Sequence, residues 1–147
     1  MDKLLERLRP HWNLPFPVCL DINQGWVPLV NDLVDDLEKI DPDFQVSQVK
    51  EKFGTLRFYA GCSSDAVSTQ FFQRIGKAEK QSGEICSWCG EPGVECYVDW
   101  TFVLCRTHFD ELVVSRTKQN AEYAEASGRA PYPVKAEYDC GWKEGED

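Results

Sequence analysis

The stretch from Cys86 to His108 constrains this chain more than any other. It runs Cys86-Ser-Trp-Cys89, fifteen intervening residues, then Cys105-Arg-Thr-His108. Two pairs of ligand-type side chains, each with two residues between partners, match what a tetrahedral zinc ion requires. A tight turn brings both members of a pair to one side of the metal, and the excursion between pairs is long enough for a hairpin that returns to the same ion. The spacing predicts one Zn2+ held by Cys86, Cys89, Cys105 and His108. Four protein ligands close the coordination sphere, whereas a catalytic zinc keeps a position open for water, so the expected role is structural. Iron is the lesser alternative, because a redox cluster normally takes a fourth cysteine.

What flanks the ligands predicts the fold around them. Gly90-Glu-Pro-Gly93 is a turn, Val94–Val98 and Trp100–Leu104 are two short strands with Asp99 at the bend, and a helix from His108 to about Ser127 stops at Gly128. Knuckle, hairpin, then a helix bearing the last ligands is the order of a treble-clef zinc finger. Cys19, Cys62, Cys96 and Cys140 remain. Paired Cys-x-x-Cys spacing without a secretory leader favours metal over disulfides, and a soluble, cytoplasmic protein is expected. Cys96, inside the excursion, is a core cysteine in this reading and a ligand replacement in the minor one.

Upstream, the pattern predicts a helix–hairpin–helix core. Leu4, Leu5 and Leu8 share one side of a short helix that Pro10 ends, and a proline-spaced linker follows, pinned by Trp12 and Phe16. Ile22, Trp26, Leu29, Val30, Leu33, Val34, Leu37 and Ile40 form a helical stripe. Pro28 is tolerated only in a first turn, so that helix starts near Gly25 to Val27 and ends before Pro42. Phe44 to Ala60 is a β-hairpin with its turn at Glu51–Gly54. Ser64 or Asp65 then caps a helix running to about Ser82, with Val67, Phe71, Phe72, Ile75 and Ala78 buried and Gly83 in a left-handed cap. The fold class is α+β: a core over 1–84, a treble-clef lobe over 85–128 and an irregular tail over 129–147, all in one cooperative domain. Tyr132, Tyr138 and Trp142 suggest that part of the tail packs back.

The 147 residues carry a formal net charge of −9, and no region is strongly basic. Sequence-independent nucleic-acid binding needs Lys and Arg to displace counterions, so that class is disfavoured. Acidic surface suits solubility and basic protein partners. Two patches are candidates for contact: Asp32, Asp35, Asp36 and Glu38 on the outer face of the long helix, and the basic island Lys50, Lys52 and Arg57 on the hairpin. The plain alternative is that both are solvated and pair with each other. No Gly-x-Ser-x-Gly, His-Glu-x-x-His or phosphate-cradling glycine loop occurs, and the histidines number two, His11 and His108. If His108 holds metal, His11 alone cannot complete a nuclease or cysteine-based centre. A non-enzyme is expected.

Gly25-Trp-Val-Pro-Leu-Val, Gln48-Val-Lys-Glu-Lys-Phe-Gly-Thr-Leu-Arg-Phe-Tyr59, and the Cys86–Gly93 and Leu104–His108 segments together resemble a group of small uncharacterised proteins of bacteriophages and bacterial genomes. The resemblance covers about residues 22 to 110. It implies a phage or mobile-element setting in a bacterial host and no activity. With the acidity and the structural metal, it leads to an expected role in binding another protein, as an anti-defence inhibitor or immunity-type protein against a basic effector or toxin. A nucleic-acid-binding zinc finger, using Lys50, Lys52 and Arg57 beside Phe53, Phe58 and Tyr59, is the alternative. An enzyme with a second metal on the acidic helix is the weakest class.

Overall fold

The computed structural model describes residues 1–15 and 19–139. Phe16, Cys140 and Trp142 lie outside the described residues. Helix α1 (Asp2–Leu8) buries Leu4 and Leu8, as its spacing predicts, and a single 3-10 turn over Arg9–His11 ends it at Pro10. Helix α2 (Val27–Ile40) follows another 3-10 turn at Gln24–Trp26, with Pro28 in the first turn, where its missing N–H costs no helical bond. Leu29, Val30, Leu33, Val34 and Leu37 bury the predicted stripe.

Strands β2 (Gln45–Lys52) and β3 (Thr55–Gly61) form the expected antiparallel hairpin, closed by Phe53 and Gly54. Both turn residues have positive φ, 51° and 86°. That is the twist a two-residue hairpin turn needs, so the strand runs on through Glu51 and Lys52, and the turn is tighter than four residues. A two-residue strand β1 (Leu20–Asp21) adds in parallel to β2, too short to leave a sequence pattern. Helix α3 (Ser68–Ser82) packs against α2 and the outer strand β3. There Ser82 Oγ accepts the Leu56 N–H at 2.9 Å and Glu79 Oε2 accepts that of Phe58 at 3.0 Å, so helix side chains occupy donors that an open strand edge would expose.

Several details of α3 depart from expectation. Phe72 is 49% exposed and only its edge meets Phe71, because the buried face is taken by Phe71, Ile75 and Ala78. Gly83 stays right-handed, at φ −69°, and its N–H bonds back to Lys80 O, so no left-handed residue is needed. Ser64 caps a 3-10 turn over Asp65–Val67, its Oγ accepting the Ala66 N–H, and α3 proper begins after it without a side-chain cap, leaving Val67 half-buried in the turn. Asp41, at the end of α2, is 4% exposed. Its carboxylate accepts the Ser63 N–H and Oγ–H at 2.6 and 2.7 Å and the Asp43 N–H at 3.1 Å, tying the end of α2 to the loop after β3. Burial alone would raise its pKa, but these bonds, first that from the Ser63 hydroxyl, hold it below the usual value.

The C-terminal lobe begins beyond α3. Strands β4 (Val94–Val98) and β5 (Thr101–Leu104) are antiparallel, and helix α4 (Arg106–Ser127) ends on left-handed Gly128 at φ 71°. The tail is less irregular than its composition suggests. Strand β6 (Ala136–Glu137) joins β4 to complete a three-stranded sheet, and Tyr138 packs on Phe109 while Tyr132 stays exposed. No helix among the described residues is long and apolar enough to cross a membrane.

Candidate metal centre

Each ligand is set by a different local device. The Cys86–Gly90 turn is closed by the Gly90 N–H on Cys86 O at 2.9 Å and the Cys86 N–H on Glu91 O at 2.8 Å. Gly90 takes φ 81°, a conformation open to glycine at little cost. Ser87 N–H donates to Val103 O at 3.0 Å, which lays this turn alongside β5. Cys105 is the N-cap of α4, with extended backbone, and His108 sits in its first turn. The helix starts at Arg106, earlier than the sequence pattern indicated, and this is what brings Cys105 and His108 onto one side.

Cys86, Cys89, Cys105 and His108 converge, with one ligand atom from each, all within 4.8 Å of one another. This Cys3His group could hold a metal ion. Its spacing is informative. With zinc–sulfur bonds of about 2.3 Å and zinc–nitrogen bonds of about 2.05 Å, the edges of a tetrahedron are about 3.8 Å between sulfurs and about 3.6 Å between sulfur and nitrogen. Cys89 Sγ and Cys105 Sγ are 3.8 Å apart, and Cys86 Sγ and His108 Nδ1 are 3.5 Å apart. Cys105 Sγ to His108 Nδ1 is tighter, at 3.2 Å. Cys96, the minor alternative ligand, is buried in β4 and does not join the group.

The sulfur environment favours thiolate where the site is deepest. Burial opposes ionisation of Cys86, but N–H groups of Cys105, Cys89 and Trp88, with the His108 ring, bring it down to about 7. At Cys89 the Glu91 N–H favours the thiolate, yet desolvation and the neighbouring sulfurs of Cys86 and Cys105 push it up to about 11. Three sulfurs so close cannot all ionise unless a cation joins them, which is the condition under which metal binding releases protons. His108 turns Nδ1 inward, its Nε2 lies 3.9 Å from Glu111 Oε2, and the Trp88 ring covers it at 5.3 Å. A carboxylate behind a ligating histidine orients the ring and raises its basicity.

The centre is also fastened to the core by residues that no ligand pattern includes. Gly25 N–H donates to Ser87 O at 2.9 Å, and Trp26 Nε1 donates to Ile85 O at 3.0 Å. A Cβ on Gly25 would lie 2.2 Å from Cys86 O and 2.7 Å from Gly90 N, so the two backbones touch. The one sequence signal for this contact was the Gly25-Trp26 pair, whose physical meaning is visible only once the knuckle is beside it.

The proposed interaction residues fall in separate places. Asp32, Asp35 and Asp36 line a groove of about 700 Å3 between α2 and α3, facing Lys39, Arg74 and Lys77. Three of the four acids are engaged internally: Asp35 with Arg7, Glu38 with Arg7 and His11, and Asp36 with Arg74 at 2.6 Å. The Arg74 hydrogen bond holds Asp36 below the usual carboxylate value. Lys50, Lys52 and Arg57 make no ion pair with this helix among the described residues. Lys50 and Arg57 stand opposite each other in the hairpin, and Lys52 lies over the Phe53 ring at 5.7 Å. Phe58 is buried and Tyr59 partly exposed, so of the three hairpin aromatics Phe53 offers most surface. Trp100, at the other hairpin tip, is as exposed and was not singled out from the sequence. No family model, curated protein or solved structure matches this chain.

Proposed function

We propose that the chain is a non-catalytic protein with one structural Zn2+ in a treble-clef lobe, and that it acts by binding another protein. The observation that carries the metal assignment is the four-ligand group itself, whose sulfur–sulfur and sulfur–nitrogen separations of 3.8 and 3.5 Å suit a closed zinc tetrahedron. Four ligands leave no site for a reacting water, so the metal organises the lobe. The order of turn, β4–β5 hairpin and α4 supports the treble-clef reading. The net charge of −9 and two exposed aromatic rings at the hairpin tips support a protein partner with basic surface. The bacteriophage resemblance makes the setting a bacterial cytoplasm and the role that of an anti-defence inhibitor or immunity-type protein. Affinity capture by the tagged full chain, with and without nuclease, tests this. A specific basic host protein that survives nuclease is the expected result, and capture of nucleic acid alone would defeat it.

The nucleic-acid reading retains one observation, Lys52 above the exposed Phe53 ring, where charge and stacking coincide. The carboxylates beside that ring oppose a phosphate backbone. A salt-dependent shift of a short single strand would favour this reading.

A further inference from the structure

The two hairpin tips meet. Gly54, at the β2–β3 turn, is so close to β5 that a Cβ there would lie 3.0 Å from Thr101 Cγ2 and 3.3 Å from the Phe102 carbonyl carbon. This contact fixes Phe53 and Trp100 side by side, ring centroids 6.2 Å apart and planes at 22°, although they are 59% and 56% exposed. The Trp100 side is held as well. Asp99, at φ 56°, exchanges hydrogen bonds with Lys135, N–H to O at 2.9 Å and Oδ1 from N–H at 3.0 Å. Large apolar rings on rigid turns lose little freedom when a partner covers them.

The rings line a groove of about 400 Å3 together with Phe102, and its wall carries two carboxylates, Asp21 and Glu51, and one ammonium, Lys52. Lys50 lies opposite Asp21 in the sheet and Lys52 follows Glu51. Among the described residues, neither ammonium comes within 4.0 Å of either carboxylate. Glu51 is half-buried, and burial, then the charge of Asp21, pushes its pKa up. Lys52 already places a cation 5.7 Å from the centre of the Phe53 ring.

Two carboxylates against one ammonium, beside flat aromatic faces, leave a net negative groove that complements a planar cation. A phosphate would meet like charge here, and a compact ammonium is more strongly hydrated and cannot stack. We propose that this groove receives an arginine side chain from a basic protein partner, its guanidinium stacked on Trp100 and Phe53 and bonded to Asp21 and Glu51. The proposal rests on the protein-binding reading and names the chemistry of the contact.

Calorimetric titration of the full, metal-loaded chain with a hexa-arginine peptide tests it, alongside hexa-lysine and a short oligo-dT strand. Hexa-arginine should bind about ten-fold more tightly than hexa-lysine, and the DNA should bind least. Trp100→Ala, and Asp21→Asn with Glu51→Gln, should each weaken hexa-arginine about ten-fold, while Trp100→Phe retains most of the affinity. The distant pair Glu122→Gln with Glu125→Gln removes the same charge and should change little. Equal loss in that control, no preference for arginine, or tighter binding of DNA would overturn the proposal. Unchanged metal content and thermal midpoint show that each variant is folded. A host protein captured equally by wild type and Trp100→Ala would overturn the groove and leave the protein-binding reading standing. Arginine selectivity without any captured protein would do the reverse.

Discussion

The two halves of the molecule are held by different forces. The N-terminal part has a continuous apolar core from Leu4 to Ala78, with Trp26, Phe44 and Phe71 as its largest fully buried side chains. The C-terminal lobe centres on Cys86, Cys96, Val98, Leu104 and Phe109, of which Cys86 is itself a candidate ligand. Burying a full aliphatic or aromatic side chain contributes about 1.5–3 kcal/mol, and ordering each residue costs about as much. Fewer fully buried side chains serve this lobe than the core, and the Cys3His group that could hold a metal ion lies beside them. The exposed rings of Phe53 and Trp100 sit where the lobe meets the core.

The largest expected effect comes from removing a ligand. Cys89→Ser should abolish one-to-one zinc and release the lobe, while the core keeps most of its helix. Apparent zinc-binding energies of about 10–16 kcal/mol in small fingers set the scale. Metal analysis and circular dichroism check this, and unchanged zinc content would refute the ligand set. Chelation of the wild type should reproduce the loss.

Gly25→Ala comes next and asks whether the halves are coupled. Its Cβ would meet Cys86 O at 2.2 Å, backbone against backbone, so stability should fall by about 3 kcal/mol or more. Because the obstruction lies at the knuckle, zinc should also be lost at lower chelator concentration than from wild type. A fall in core stability with unchanged metal retention would show that the halves are independent.

Asp41 sharpens the core side. Asp41→Asn weakens its bonds to Ser63 and should cost about 2 kcal/mol near neutral pH in denaturant unfolding. Its folded pKa is lowered, so its stabilising effect is complete above the ordinary value of 3.8 and is lost as pH falls through the lower folded value. The difference between wild type and variant should therefore shrink on acidification below about pH 4. A constant difference would exclude the linkage.

Ser87→Ala should be the mildest change. Among the described residues Ser87 Oγ is buried without a hydrogen-bond partner, so its removal should be neutral or stabilise by up to about 1 kcal/mol. A loss larger than that would mean that the hydroxyl serves the sulfur cluster. Asp35→Asn breaks a surface pair with Arg7 and should cost under about 1 kcal/mol, less in high salt.

Much of this was legible in the residues, for local reasons. The α2 stripe survives because 3.6-residue periodicity and Pro28 depend on nothing beyond the segment. The ligand pairs were legible because two-residue spacing is itself a geometric constraint. Phe72 failed locally, since one helix face cannot bury it together with Phe71 and Ile75. Other features have their cause elsewhere in the chain: Asp41 is buried because Ser63, from the loop after β3, bonds its carboxylate. Strand β6 exists because β4 offers an open edge to residues 136–137, and nothing in those residues announces it.

The sequence by itself determined the α+β element order, the core stripe and the four residues that can meet at a metal, because period and spacing are written along one strand of chain. Tertiary structure alone decided that Asp35, Asp36 and Glu38 are largely spent on internal ion pairs. It alone set Gly25 against the Cys86–Gly90 backbone and brought Phe53 beside Trp100. These partners are tens of residues apart, and their contact is fixed only when the C-terminal lobe packs on the core.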